Sequence, residues 1–437
     1  MRIVEHSTNG ALSAPEALIE TTASINPLGS WPAPHCFLRN ERCPACGNSL
    51  AAPFYDGGRK PLAMIAWPAS RAEAQAMPRL PLEYVRCLDC EHIYNAAFSY
   101  DAVPYVAKPN LMFNRGANWT GFLDALRKQV LAVLPQDPTV VEIGHGDGHF
   151  LAGLAETRPQ GRYVGFDPHG VRQTAYNSVF LRAHLFDPAV HVCELMPDLI
   201  VSRHVLEHLT NPLGLLQGIN FAAGWLGKEI RLLLEVPCAD RAVESRRLGD
   251  FYYEHFSQFT TQSFRAMLRR ANLHVEDFGH GYNHEVVYAL LRTQLRPEQM
   301  MTVRSALQFG ADARTAPGRI QSQLAALCRS GQRIAIWGGV GKCAAFLNTY
   351  ELDADRFPLV VDSDTGKVGT YVPGTGQKIQ SRAVLANNPV GLIIIPAQWR
   401  AKDIVREISE MGLQCTIMLE HEGVLVDYFS GDHPYRD

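Results

Sequence analysis

The segment VVEIGHGDGHFL, from Val140 to Leu151, leaves the surrounding chain few options. An apolar strand ends in an acid, Glu142, and three glycines at alternate positions, Gly144, Gly146 and Gly148, lead into a run of helical character. Such a turn needs positive backbone φ and lets bare backbone come close to a ligand, which is why glycine is placed there. Strand, glycine turn and helix in succession belong to α/β folds. A dinucleotide loop is the nearest rival, but its GxGxxG fingerprint puts the third glycine one residue later. A glycine turn with no ligand is the bland alternative.

The following segments continue the alternation. RYVGFDPHG, Arg162 to Gly170, reads as a second strand ending in an acid, and PDLIVSRHVLEHL, Pro197 to Leu209, as an apolar run with a His-bearing end. The glycine loop resembles the cofactor loop of S-adenosylmethionine (SAM) methyltransferases, with Glu142, Gly144, Gly146 and Gly148 on its pattern. That resemblance implies that Asp167 accepts the two ribose hydroxyls, which a carboxylate can do in bidentate fashion. It also implies that His204 and His208 lie over the cofactor. GLLQGINFAAGWL reads as a helix, EIRLLLEVP as a buried strand and TQSFRAMLRRANL as a further helix. HVEDFG and HEVVYALL then follow as two strands with no helix between them, the antiparallel hairpin expected of a class I methyltransferase fold. The catalytic domain is placed at 112–300.

A chain of 437 residues with 46% apolar content can build roughly two or three domains. A net charge of −3 gives no reason to expect nucleic acid or a membrane surface as the main partner. The first residues, MRIVEHSTNG, lack the apolar core of a secretory signal, and runs such as GLIIIPA are too short to span a bilayer. The expectation is a cytoplasmic protein with a loosely ordered lead-in over 1–35.

Four of the ten cysteines form two CxxC knuckles, Cys43 with Cys46 and Cys87 with Cys90, forty residues apart. Each pair can present two thiolates from one tight turn, and thiolates brought together need a cation, which tetrahedral Zn2+ supplies. Four thiolates would fill the coordination sphere, so the zinc is structural, and a redox or disulfide role is the alternative. The zinc-binding domain is placed at 36–111.

Beyond residue 300 the pattern restarts. RIAIWGGVGKCAAFL reads as strand, glycine turn and helix, LVVDSD and GLIIIPA as later strands and WRAKDIVREISEMG as a helix, giving a second α/β domain with Rossmann-like alternation over 301–437. Gly338, Gly339 and Gly341 could admit a phosphate at the helix start with Lys342 adding charge, or could be an architectural turn.

In this order, the knuckles with PLEYVRCLDCEHIY, the EIGHGDG loop, and the stretch from IWGGVGK through VDSDTGKVGTYVPGTG resemble the three-domain sugar C-methyltransferases that act on nucleotide-linked ketodeoxysugars. The resemblance covers nearly the whole chain after residue 40. The family's Tyr-His-Glu-His signature aligns with Tyr252, Tyr253, Glu254 and His255, which implies that this run and His208 line the acceptor pocket. A carbon beside a ketone becomes nucleophilic only after losing a proton. His255 is the natural base for that loss, with Tyr252 relaying a proton or stabilising the oxyanion and Glu254 orienting the imidazole or binding a sugar hydroxyl.

The chain departs from the family where a sugar would be read. His204 replaces an asparagine, Tyr253 a histidine, and Asn283, His284, Glu285 and Val286 a small flexible turn, while VPYVAKPNLMF leaves Tyr105 as a pocket candidate. The reading is SAM-dependent C-methylation of a nucleotide-activated keto sugar by a protein able to close its site as a monomer. The rivals are an O- or N-methyltransferase on a polar metabolite, and a non-catalytic zinc-bearing module that binds a nucleotide sugar or a protein partner.

Overall fold

The computed structural model of the protein describes residues 37–64, 67–103, 116–171 and 177–436. The expected lead-in and Tyr105 lie outside the described residues. The chain divides into two compact units, Met1–Pro297 and Glu298–Asp437.

The first unit opens with an antiparallel sheet of β1 (Ala51–Lys60), β2 (Leu80–Cys87) and β3 (Ile93–Asn95). In β2 the side chains of Leu82, Tyr84, Val85 and Cys87 are buried, which fixes its register because a one-residue slip would turn the inward face to solvent. Helix α1 (Ala117–Val133) follows, then β4 (Thr139–Ile143), α2 (His149–Thr157), β5 (Arg162–Phe166), β6 (Val179–Arg182), α3 (Pro188–Leu195), β7 (Leu199–Arg203), α4 (Pro212–Leu226) and β8 (Arg231–Pro237). Strands β4, β7 and β8 are buried along most of their length, as expected of parallel strands covered on both faces.

The two-residue strand β9 (Ser257–Gln258) pairs with β3, so the cysteine-bearing sheet takes its fourth strand from beyond β8. Helix α5 (Thr261–Arg270) starts at a capping box between Thr260 and Ser263 and leads into the hairpin of β10 (Leu273–Gly281) and β11 (Val286–Thr293). The main sheet has seven strands in the order β10-β11-β8-β7-β4-β5-β6, with β11 antiparallel to β8. This is the class I methyltransferase arrangement expected from the sequence. One core cluster runs from Cys43, Val85 and Tyr94 to Val141, Leu234 and Phe264, so the knuckle region and the main sheet share packing within a single unit.

The second unit begins with α6 (Pro297–Arg329), then β12 (Ile334–Trp337), α7 (Lys342–Thr349), β13 (Val360–Asp362), β14 (Ile379–Ser381), β15 (Leu392–Ile394), α8 (Ala401–Glu410), β16 (Thr416–His421) and β17 (Val424–Asp427). Its sheet runs β14-β13-β12-β15-β16-β17, parallel except for β17. Helix α6 is 33 residues long. Its buried positions, Ala316, Ile320 and Leu324, all lie in the C-terminal half, so only that half carries an apolar stripe to read. Among the described residues no helix is long and apolar enough to cross a membrane.

Candidate active site

The C-terminal ends of β4, β5 and β7 open into a cleft of about 780 Å³. Gly144, Gly146 and Gly148 all have positive φ, at 73°, 55° and 73°. A Cβ on Gly144 would stand 2.2 Å from Val205 Cγ2, so the loop after β7 packs directly on the glycine backbone. Asp167 ties the far side: its Oδ2 accepts from Gly146 N at 3.0 Å and its Oδ1 from His169 N at 2.8 Å. Each carboxylate oxygen has a further lone pair for a hydroxyl. Gly144, Gly146 and Asp167 line the cleft, whereas Gly148 is the left-handed cap of α2. A bare-backbone turn facing an acid at the end of the next strand fits the ribose end of SAM.

Glu142 also lines the cleft but is buried, and burial pushes its carboxyl up to about 8. The unfolded chain releases that proton near 4.5. The folded state therefore binds more protons between these values, and stability falls as pH rises through that window. Glu142→Gln should remove the slope, raising the melting temperature of the cofactor-free protein relative to wild type more at about pH 8 than at about pH 5. An equal offset at both pH values would contradict this assignment.

The wall opposite the glycine loop is built on buried charge. Arg203 Nη2 reaches Glu235 Oε1 at 3.0 Å while its guanidinium lies over the rings of Phe150 and Trp119, 4.9 and 5.6 Å from their centroids. His204, with φ of 52°, brings Nε2 to within 2.9 Å of the same Glu235 oxygen, at ion-pair range. Its Nδ1 stands 3.6 Å from Glu207 Oε1. Burial alone would lower the His204 pKa, but Glu207 and Glu235 hold it up at about 9. Burial likewise pushes Glu235 upward, and Arg203 and His204 outweigh it to hold the carboxyl down at about 2.

Beside this wall lies the run expected to hold the acceptor. Tyr252 Oη meets His255 Nε2 at 2.8 Å, and the rings of His208 and His255 stand 4.9 Å apart, nearly perpendicular. His208 Nδ1 faces the backbone carbonyl of Glu254 at 2.8 Å. Burial, reinforced by His208, drives the His255 pKa down to about 3, so this imidazole is neutral in ordinary buffers. Burial, with Glu207 adding to it, holds the Tyr252 phenol well above its usual range. The cysteine-bearing sheet supports the run from behind, where Tyr84 Oη donates to the carbonyls of Tyr252 and His255 at 2.7 and 3.1 Å.

His208, Tyr252, His255 and His204 line the cleft with the glycine loop, whereas Glu254, Tyr253 and His284 do not. Glu254 is fully buried and accepts from the amides of Ala63 and Met64 at 2.8 and 2.7 Å, which pins the segment carrying Met64 and Trp67 onto the cleft wall. Tyr253 is a core residue, stacked on Phe98 and accepting from Ser99 N through its hydroxyl. The physical reason is a tight turn: His255 N donates to Tyr252 O at 3.3 Å, which turns positions 252 and 255 to the cleft and the two between them away from it. His284 is exposed in the β10–β11 turn, 5.1 Å from the His280 ring, where Tyr282, Asn283 and His284 all have positive φ. Lys342 starts α7 in the second unit, next to Gly341 with φ of 61°.

Among the residues that sequence reasoning missed are Glu207, Arg203, Glu235 and the aromatic lining of Trp67, Tyr100 and Trp119. Glu207 sits inside the HVLEHL motif between the two histidines, which was its only signal.

The four knuckle cysteines are buried and converge, with Cys43 Sγ to Cys90 Sγ and Cys46 Sγ to Cys87 Sγ both 3.6 Å. Ligands about 2.3 Å from a tetrahedral zinc lie about 3.8 Å from one another, so this donor set fits that ion.

Residues 116–277 match the model of a methyltransferase domain family, and residues 267–416 match that of the C-methyltransferase C-terminal domain. No curated protein matches the chain. Among solved structures, a chain of a Haloferax volcanii methyltransferase–activator complex is similar at 17% identity, over 41% of this chain and 95% of that one, with a TM-score of 0.32. The magnesium protoporphyrin IX methyltransferase of Synechocystis PCC 6803 with bound S-adenosylhomocysteine is similar at 16% identity, over 40% and 82%, with a TM-score of 0.31. Joining a methyltransferase domain to a C-methyltransferase C-terminal domain, the chain is a SAM-dependent methyltransferase.

Proposed function

We propose that the protein methylates a carbon next to the ketone of a nucleotide-linked keto-deoxysugar. The observation that carries this reading is the convergence of the Tyr252–His255 pair and His208 on the same cleft as the glycine loop, in a chain that also carries a C-methyltransferase C-terminal domain.

When bound, SAM supplies an already activated methyl on its sulfonium. Gly144, Gly146 and Asp167 hold the cofactor, and the remaining task is to make the acceptor carbon nucleophilic. A C–H bond beside the ketone breaks, its electron pair becomes that of an enolate, and the proton passes to the Tyr252–His255 pair. His255 enters neutral and therefore with a lone pair available. Met64, Trp67, Tyr100 and Trp119 exclude water from the face where the enolate forms. The four cysteines hold a structural zinc and take no part in the chemistry.

Incubating a nucleotide-linked 4-keto-deoxyhexose with the protein in heavy water, without SAM, tests the carbon route. Deuterium should appear next to the ketone. Turnover on addition of SAM without prior exchange would assign the methyl to oxygen or nitrogen instead. His255→Ala should lower kcat by about 10²-fold or more, the usual loss for a general base, while SAM affinity by calorimetry stays close to wild type. A His255→Ala protein with full activity would place the base elsewhere.

A further inference from the structure

His255 is a weak base as the cleft stands. Burial, with His208 and His204 adding to it, takes basicity from the ring, whereas a general base works best with a pKa near the operating pH. Glu254, expected to orient this imidazole, gives its Oε1 to the amides of Ala63 and Met64 instead.

Glu207 stands where Glu254 does not. Its carboxylate lines the cleft at 1% exposure, and neither oxygen has a hydrogen-bond partner among the described residues. The charged ring of His204 comes no closer than ion-pair range, with Nδ1 3.6 Å from Oε1. Burial would push the Glu207 carboxyl up, but His204, then His208 and His255, outweigh it and hold the group below its usual range, so it is a carboxylate at neutral pH. A Glu207 oxygen and a ring nitrogen of His255 lie within 4.8 Å of each other. A buried carboxylate is costly unless a cation or donors meet it, and a proton arriving on His255 creates such a cation.

We propose that Glu207 is a positioning residue that acts through His255, as the counter-charge to the imidazolium formed when the acceptor C–H bond breaks. This rests on the reading of His255 as the base for carbon methylation. The electron pair of the C–H bond becomes that of the enolate, and the proton ends on the His255 ring, whose Nε2 is hydrogen-bonded to Tyr252 Oη at 2.8 Å. The ring goes from neutral to positive beside a carboxylate that is already charged and already in place, where screening by water is weak. His204 contributes no such change, since it is charged throughout and meets Glu235 at 2.9 Å. Glu207 needs no bond to the acceptor or to SAM for this role.

The test uses the full chain and a nucleotide-linked 4-keto-deoxyhexose in heavy water without SAM, with exchange rates measured across acceptor concentrations and SAM affinity measured by calorimetry. Glu207→Gln should lower the limiting exchange rate by about 10²-fold or more, as neutralising the acid behind a catalytic imidazole does. The half-saturating acceptor concentration and the SAM affinity should stay close to wild type. Glu207→Asp, which keeps the charge, should recover most of the loss. In a His255→Ala background, Glu207→Gln should cost about twofold or less, because residues that act as a unit do not add. Exchange at the wild-type rate in Glu207→Gln, equal losses in the Gln and Asp variants, a raised half-saturating concentration, or losses that multiply in the double variant would overturn the proposal and leave the carbon route standing. If Glu207→Gln fails to bind SAM, Glu207→Ala takes its place in both backgrounds, and failure of both would assign Glu207 to the fold or the cofactor and overturn the proposal. Absence of exchange in the wild type would remove the carbon route and this role together.

Discussion

Gly144→Ala is expected to lower SAM affinity by about 10²-fold or more while leaving the fold intact. Two independent costs fall on that one methyl. Residue 144 has φ of 73°, a region where a side chain is strained. The added Cβ would also stand 2.2 Å from Val205 Cγ2, so either the glycine loop or the loop after β7 must move. Neither movement is free. Gly144 N donates to Phe166 O at 2.7 Å, and the loop after β7 carries the wall of Glu207 and His208. An effect of 10²-fold corresponds to about 2.7 kcal/mol, within reach of strain plus overpacking. Calorimetry with SAM measures it, and near-normal affinity would show that the loop relaxes without disturbing the cofactor site.

Removing the metal proposed at the four cysteines is expected to have the second large effect. The knuckles hold β1, β2 and β3, and that sheet with the segment after β1 holds the wall of Tyr252 and His255 by three separate contacts. β3 pairs with β9 immediately after His255, Tyr84 holds the carbonyls of Tyr252 and His255, and Glu254 holds the amides of Ala63 and Met64. Four thiols left without an ion in a buried cluster have no comparable partner, and structural zinc sites are coupled to folding by many kcal/mol. Chelation, or Cys43→Ser, should therefore abolish turnover and lower the melting temperature of the first unit. SAM affinity should fall far less, because the glycine loop and Asp167 sit on the main sheet. Loss of SAM binding in step with turnover would contradict this division of labour.

Much of this architecture was legible from local pattern. A strand ending in an acid, three alternating glycines and a helix specified the β4-to-α2 turn, and two strands without an intervening helix specified the β10–β11 hairpin. The knuckle spacing identified the four cysteines that converge. Contacts between distant segments were not legible. Nothing in Ser257 and Gln258 announces a strand, since two residues carry no periodicity, and the pairing with β3 exists only in three dimensions. The Tyr252 to His255 run was found by its residues, but the turn within it decides that Tyr253 and Glu254 face inward. Glu207 and Trp119 became visible only once the loop after β7 and the first turn of α1 met at the cleft. The turn of Asn283, His284, Glu285 and Val286 was singled out as a place where a sugar would be read, and Tyr282 just before it stands edge-on to the Trp119 ring at 5.1 Å, a contact the sequence does not announce.

On the proposed function, this cleft forms a carbon–carbon bond. The most direct measurement uses SAM carrying a 13C-labelled methyl and a nucleotide-linked 4-keto-deoxyhexose uniformly labelled in its sugar carbons, with the product examined by NMR. The expected product shows a methyl resonance split by one-bond coupling to a sugar carbon adjacent to the ketone, appearing with wild-type protein and absent with His255→Ala. A methyl signal without that coupling, showing attachment through oxygen or nitrogen, would contradict it.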